Sequence, residues 1–252
     1  MFQIEREKAI LESLKDGKVA KPKDLCELTG ASDVTIRRDL RRLEKRGLIR
    51  RWHGCAQIAG GESAWFPAAG MASPEKERVA RIAAQLVCDG DNFFLGAGTT
   101  CTALARFLRQ HKNLSVMTPN LDAALELTRT SSVHVTILGG EVQVETNYIE
   151  TLDEYTLAFL QRFYFDKTFI TVNGIDFNYG YSILKQQQLP LYHHLMESSA
   201  GFYVIADSEK FERRTFVRLC DMDAVRNVVT THQVQQQYAQ AFEAHAIEVF
   251  HD

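Results

Sequence analysis

Apolar and polar positions are spaced in two different ways along this chain, and the change of spacing divides it. From Glu5 to Leu14, Ile10, Leu11 and Leu14 form one stripe on a charged segment, which predicts a first helix. Pro22 suits the first turn of a short second helix, with Leu25 and Leu28 on its inner face and Thr29-Gly30 at its end. Ser32 or Asp33 caps a third helix, in which Ile36, Leu40 and Leu43 follow at i, i+4 and i+7 and which stops at Gly47. Leu48-Ile49-Arg50-Arg51-Trp52-His53-Gly54 then reads as a strand turning at Gly54. The pattern predicts a compact three-helix bundle with a wing over residues 1–57.

Residues 58–73 hold Gly60-Gly61, Pro67 and Gly70 and keep no period, which predicts a linker on which Trp65 and Phe66 dock against a neighbouring surface. Ser73-Pro74-Glu75 reopens order as an N-cap, a first-turn proline and a dipole-matched acid, followed by Val79, Ile82, Ala83 and Leu86 at core spacing. From Asp91 onward short apolar runs alternate with helix-like segments: Phe93-Leu95, Val116-Met117, Val133-Leu138, Phe169-Val172, Phe202-Ala206, Val228-Val229 and Ile247-Phe250. This βα repetition predicts a second domain of α/β class over residues 74–252, with a mainly parallel sheet covered by helices. Loops follow the strands at Gly96-Ala97-Gly98-Thr99-Thr100, Thr118-Pro119-Asn120, Gly139-Gly140-Glu141, Asn173-Gly174-Ile175-Asp176 and Asp207-Ser208-Glu209-Lys210. All are expected at the carboxyl edge of the sheet, where open α/β folds bind ligands.

Length and composition agree with two globular domains: 252 residues, 45% hydrophobic and 24% charged. No window offers the roughly 18 apolar residues of a membrane span, and the charged first turn is unlike a secretory signal, so a cytoplasmic protein without a membrane partner is expected. The five cysteines lie far apart and read as reduced, mostly buried thiols. The eight histidines are scattered, and the adjacent His193 and His194 lack the i, i+4 spacing of a zinc helix, so neither a metal site nor a cofactor is expected. Charge is unevenly placed. Residues 1–57 carry 14 Lys/Arg against 9 Asp/Glu, whereas the rest carries 15 against 23, so only the first domain is built to meet a polyanion.

The third helix shows where. Thr35, Arg38 and Arg42 share a line turned away from the core, with Arg37, Arg41 and Lys45 beside it. A basic helix is as a rule a solvated face, but a preceding short helix, a tight turn and a basic wing point to a recognition helix in a DNA major groove. The expected contacts are Ser32, Thr35, Arg37, Arg38, Arg41, Arg42, Lys45, Arg50, Arg51 and His53, the partner is double-stranded operator DNA, and a homo-oligomer of a dimer or larger is expected to bind it.

The run Ser32-Asp33-Val34-Thr35-Ile36-Arg37-Arg38-Asp39-Leu40, with Leu43-Glu44, Gly47, Arg51 and His53-Gly54, resembles the signature of the DeoR family of regulators; Cys55 stands where that pattern usually has a second glycine. The similarity continues through Lys76, Gly98-Thr99-Thr100, Gly139-Gly140, Asn173 to Asp176 and Asp207 to Phe211. It implies a sensor fold similar to sugar-phosphate isomerases and an effector that is a phosphorylated sugar or polyol. Three positions depart: Gly96 stands where many members have an acid, Ile149-Glu150 replaces a frequent Ile-Gly, and Glu212 follows Phe211 where glycine is usual.

Gly98-Thr99-Thr100, between a strand and a helix, offers free N–H groups, two hydroxyls and a helix dipole to a phosphate, although glycines there also serve plain tight turns. The segment lacks the lysine of a nucleotide P-loop and the third glycine of a dinucleotide fingerprint. With the resemblance, the expected effector residues are Gly96, Gly98, Thr99, Thr100, Thr118, Asn120, Gly139, Gly140, Asn173, Gly174, Asp176, Asp207 and Lys210. Two other readings stay open: an isomerase-like enzyme with an appended DNA-binding domain, whose general base would come from Glu141, Asp176 or Asp207, and a constitutive DNA-binding protein with a ligand-free assembly domain.

Overall fold

The computed structural model describes residues 3–14, 20–45, 48–52, 55–58, 72–145 and 147–252. Gly47, His53, Gly54 and the linker stretch with Trp65 and Phe66 lie outside them. The chain divides into two compact units, Met1–Ala68 and Ala69–Asp252.

In the first unit, α1 (Gln3–Ser13), α2 (Pro22–Thr29) and α3 (Asp33–Lys45) precede an antiparallel hairpin of β1 (Ile49–Trp52) and β2 (Cys55–Ile58). Pro22 opens α2 without wasting an N–H, and Gly30 closes it in the left-handed conformation, φ +67°, its N–H donating to the Cys26 carbonyl. The Ser32 Oγ accepts from the Thr35 N–H and starts α3. Ile10, Leu14, Leu25, Ile36, Leu40, Leu43, Ile49 and Ala56 form the core. Ala20 exchanges two backbone hydrogen bonds with Ala56, which adds a third piece of chain to the wing. Leu28 departs from its expected place: it is 54% exposed, and Thr29 is buried instead, its hydroxyl donating to the Leu25 carbonyl. Thr29 lies four residues from Leu25 and so shares its face more closely than Leu28 does. Asp39 adds a polar strut, buried under α3 and accepting from the Arg6 Nε of α1 at 2.6 Å.

The second unit begins with α4 (Pro74–Ala84), capped by Ser73, whose Oγ accepts from the Lys76 N–H. Then follow β3 (Asn92–Leu95), α5 (Thr99–Leu108), β4 (Leu114–Thr118), α6 (Leu121–Leu127), β5 (Val133–Ile137) and a hairpin of β6 (Val142–Val144) with β7 (Ile149–Thr151). Next come α7 (Glu154–Leu160), β8 (Phe165–Ile170), β9 (Gly174–Asp176), β10 (Gly180–Ile183), α8 (Gln188–Glu197) and β11 (Ser199–Ile205). A single turn of 3-10 helix at Ser208–Lys210 leads to β12 (Val217–Cys220), β13 (Asn227–Val229), α9 (His232–Ala244) and β14 (Glu248–Phe250).

Among the described residues seven strands form one sheet in the order β14-β13-β11-β8-β3-β4-β5, and every neighbouring pair is parallel. Both faces are covered, so the strands read as unbroken apolar runs. Phe93 and Leu95 pack into the cluster with α4 and α5, and Phe94 into the cluster with Ile170 and Leu195. The chain leaves β3 toward β4 and β5 on one side and later returns to add β8 and its neighbours on the other. The order therefore reverses between β3 and β8, and their carboxyl ends diverge into a crevice.

Two expectations are corrected in this unit. Gly174–Asp176 is not a loop but β9, which joins β10 and β12 in a small antiparallel sheet. It is too short to show a period, and its neighbour β10 makes it a strand. Of the five cysteines only Cys101 is buried; Cys88 is exposed in the turn after α4, and Cys26, Cys55 and Cys220 are half-buried. Among the described residues no helix is long and apolar enough to cross a membrane.

Candidate functional site

On the first unit the candidate surface is the outer side of α3. Arg38 and Arg41 are exposed and, among the described residues, make no ion pair. Arg37 is exposed but tied to Asp33 at 2.6 Å. Arg42 is turned partly inward, 3.1 Å from Glu7 of α1 and 3.7 Å from Asp39. The Ser32 and Thr35 hydroxyls sit 2.9 Å apart at the start of the helix. Lys45 ends α3, Arg50 and Arg51 lie on β1, and His53 is outside the described residues. Arg38 and Arg41 are thus the two guanidinium groups of α3 that an incoming anion meets without first breaking a pair.

On the second unit a cavity of about 160 Å³ lies in the crevice between β3 and β8. Ala97, Gly98, Thr99 and Thr100 line it after β3, and Thr171, Val172 and Asn173 after β8. Gly98 is the N-cap of α5 at φ +106°, a conformation open to glycine, and a Cβ there would stand 2.9 Å from the Thr171 Oγ1. The first N–H groups of α5 lack intrahelical acceptors and face outward with the positive end of the helix dipole, and no acidic residue sits in that turn.

Two cations join them. Lys76 reaches the cavity from the first turn of α4, and Lys210 from the turn after β11. Glu75 ties these segments together, its carboxylate accepting from the Ser208 N–H at 2.9 Å and the Ser208 hydroxyl at 2.8 Å. Asp207 is 1% exposed and 3.7 Å from the Lys76 Nζ, and neither of its oxygens finds a hydrogen-bond donor among the described residues. Burial pushes the Asp207 pKa up, with Lys76 and Lys210 pulling the other way. Burial likewise pushes Lys210 below the ordinary lysine range, with Asp207 opposing. Asn147, Tyr148, Gln188 and Tyr192 complete the wall with neutral amides and phenols.

Of the sequence-derived effector residues, Gly98, Thr99, Thr100, Asn173 and Lys210 line the cavity. The others lie elsewhere, each for a definite reason. Gly96 is buried against β8, where a Cβ would meet the Phe169 carbonyl at 3.1 Å and the Ile170 Cα at 3.2 Å, so an acid has no room there. Thr118 and Asn120 are fully buried; Asn120 caps α6 and donates to the Gly98 carbonyl and the Thr102 hydroxyl, so it holds the α5 entry from behind. Gly139 and Gly140 seat the start of α7: the Gly139 carbonyl accepts from Thr156, and a Cβ on Gly140 would lie 2.6 Å from the capping Asp153 Oδ1. Gly174 admits the Arg213 carbonyl, which a Cβ would meet at 2.3 Å. Asp176 is bound to Arg214 by two hydrogen bonds of 2.8 and 3.2 Å, and Asp207 sits beneath the lysines rather than on the wall. Lining residues not expected from the sequence are Lys76, Ala97, Asn147, Tyr148, Thr171, Val172, Gln188 and Tyr192. Lys76 carried a signal through the resemblance, and Ala97, Thr171 and Val172 belong to strand-end segments that the sequence marks; the rest come from elements whose neighbours a sequence does not name.

A family model described as the DeoR-like helix-turn-helix domain matches residues 6–60, and one described as the DeoR C terminal sensor domain matches residues 71–232. The chain belongs to the DeoR family. It is 30% identical to the glycerol-3-phosphate regulon repressor of Escherichia coli (strain K12), over 91% of each chain. It is 27% identical to the lactose phosphotransferase system repressor of Lactococcus lactis subsp. lactis, over 96% of each. Among solved structures, ribose 5-phosphate isomerase from Plasmodium falciparum aligns at 18% identity over 54% of this chain and 52% of that one, with a TM-score of 0.38. Glu212 adopts φ +53°, the left-handed region that favours glycine, at the position where the resemblance implies one.

Proposed function

We propose that this protein is a transcriptional repressor of a sugar or polyol catabolic operon, releasing or tightening its grip on operator DNA when a phosphorylated sugar or polyol occupies the β3–β8 cavity. The observation that carries the reading is the convergence of Lys76, Lys210 and the first turn of α5 at the reversal of strand order. The names of the relatives, repressors of a glycerol-3-phosphate regulon and of a lactose phosphotransferase system, support it. The protein works in the cytoplasm, as a dimer or larger, on half-sites spaced by whole helical turns of about 10.5 base pairs.

The isomerase reading is weaker on a specific point. Of its three candidate bases, Glu141 and Asp176 lie off the cavity and Asp207 is buried beneath it. A coupled assay with pentose and hexose phosphates is expected to show no turnover above background.

Arg38→Ala is expected to weaken binding to a duplex selected from a random-sequence pool by about 1 to 3 kcal/mol, and to random DNA by less. Fluorescence anisotropy on both duplexes checks this, and equal losses would assign Arg38 to the phosphate backbone. Ligand affinity is expected to fall as pH rises, beginning below the ordinary lysine pKa of about 10.4, because Lys210 in its depressed range loses its proton and with it the charge facing the phosphate. Titration calorimetry across alkaline pH should show this limb in the wild type and not in Lys210→Met.

A further inference from the structure

Among the described residues lining the cavity, Lys76 and Lys210 carry the formal charge, while Asn147, Tyr148, Gln188 and Tyr192 are neutral. These neutral groups sit on two elements, the β6–β7 hairpin and the start of α8, and one buried pair joins the two. Glu150 on β7 is 2% exposed, and the Lys185 Nζ, between β10 and α8, donates to it at 2.7 Å. The same ammonium donates to Gln143 at 2.8 Å and pairs with Glu145, both on the hairpin. Burial raises the Glu150 pKa and Lys185 lowers it, while the Lys185 carbonyl accepts from the Gln188 N–H at 3.1 Å and so ties the pair to the start of α8. A carboxylate buried at this point is a charge that the fold must neutralise internally.

We infer that Glu150 is a positioning residue for the sugar part of the ligand: through Lys185 it fixes the hairpin that carries Asn147 and Tyr148 and anchors the start of α8, where the Lys185 carbonyl holds the Gln188 N–H. The inference rests on the phosphorylated-ligand reading and goes further by dividing the site. The phosphate is read by Lys76, Lys210 and α5, and the hydroxyls are read by neutral groups that Glu150 sets.

The test compares inorganic phosphate with the tightest binder from a panel of pentose, hexose and polyol phosphates, by calorimetry on the full chain. In Glu150→Met, which fills the space without an acceptor, affinity for the sugar phosphate is expected to fall about tenfold, the scale of one lost hydrogen bond, with inorganic phosphate unchanged within about twofold. Glu150→Gln, which keeps an acceptor oxygen for the Lys185 ammonium, is expected to restore most of the loss. Lys185→Met, which removes the other half of the pair, is expected to reproduce it, and serves as the measurement should the buried substitution unfold the chain. Equal losses for both probes, or no loss for either, would overturn the inference. A wild-type protein that binds neither inorganic phosphate nor any panel member would overturn the phosphate reading itself, before any variant is compared.

Discussion

Leu40→Ala is expected to melt the DNA-binding unit while the sensor unit keeps its fold. Leu40 is 1% exposed and sits on the inner line of α3 with Ile36 and Leu43. Truncating a buried leucine costs about 2 to 5 kcal/mol, lost transfer energy plus a cavity. A unit of this size has only a few kcal/mol in hand, so the loss approaches its whole stability. The core of the other unit is a separate set of residues. Calorimetric scanning should therefore show one transition displaced to low temperature and the other in place, with DNA binding lost and sugar-phosphate binding retained. A single transition that moves as a whole would contradict the independence of the two units.

Gly98→Val is expected to abolish the ligand response, lowering ligand affinity by more than about tenfold, because two hydrogen bonds or more are lost at once. The substitution forces a β-branched residue to φ +106° and drives a side chain toward the Thr171 Oγ1. It also disturbs the Gly98 carbonyl, which accepts from the Thr102 N–H at 3.0 Å and from Asn120 at 3.3 Å, so the whole α5 entry shifts. Thr100→Val keeps the volume and removes one hydroxyl, and should show a smaller loss in the same direction. Ligand titrations by calorimetry, after circular dichroism confirms folding, measure both. Full affinity in both variants would move the phosphate away from α5.

How much of this was legible in the sequence differs by element. Helices α2 and α3 announced themselves through Pro22, Gly30, Ser32 and the Ile36-Leu40-Leu43 stripe, because caps and periods are local. The seven parallel strands were visible as apolar runs for the same reason. Strand order was not visible, since nothing in Phe93-Phe94-Leu95 says that β8 will pair beside it, and the crevice depends on that pairing. The site divides in the same way. Gly98, Thr99, Thr100 and Lys210 follow their strands directly and were found. Asn120 and Gly140 also follow strands, yet one caps α6 from a fully buried position and the other makes room for Asp153. A strand-end glycine or asparagine marks the carboxyl edge without saying which side of it faces the ligand. Tyr148, Gln188 and Tyr192 reach the cavity only because a hairpin and a late helix fold back over it.

Under the proposed function, one chain couples a phosphorylated ligand in the β3–β8 crevice to DNA held by α3. Coupling of this kind is typically about 1 to 3 kcal/mol and reciprocal between the two ligands. The most direct measurement is the affinity of the full chain for a duplex selected from a random-sequence pool, by fluorescence anisotropy, with and without each member of a sugar-phosphate and polyol-phosphate panel. At least one member is expected to change that affinity by roughly 5- to 150-fold in the wild type and to leave it unchanged in Gly98→Val. An affinity that no panel member alters, or an equal alteration in Gly98→Val, would contradict the account.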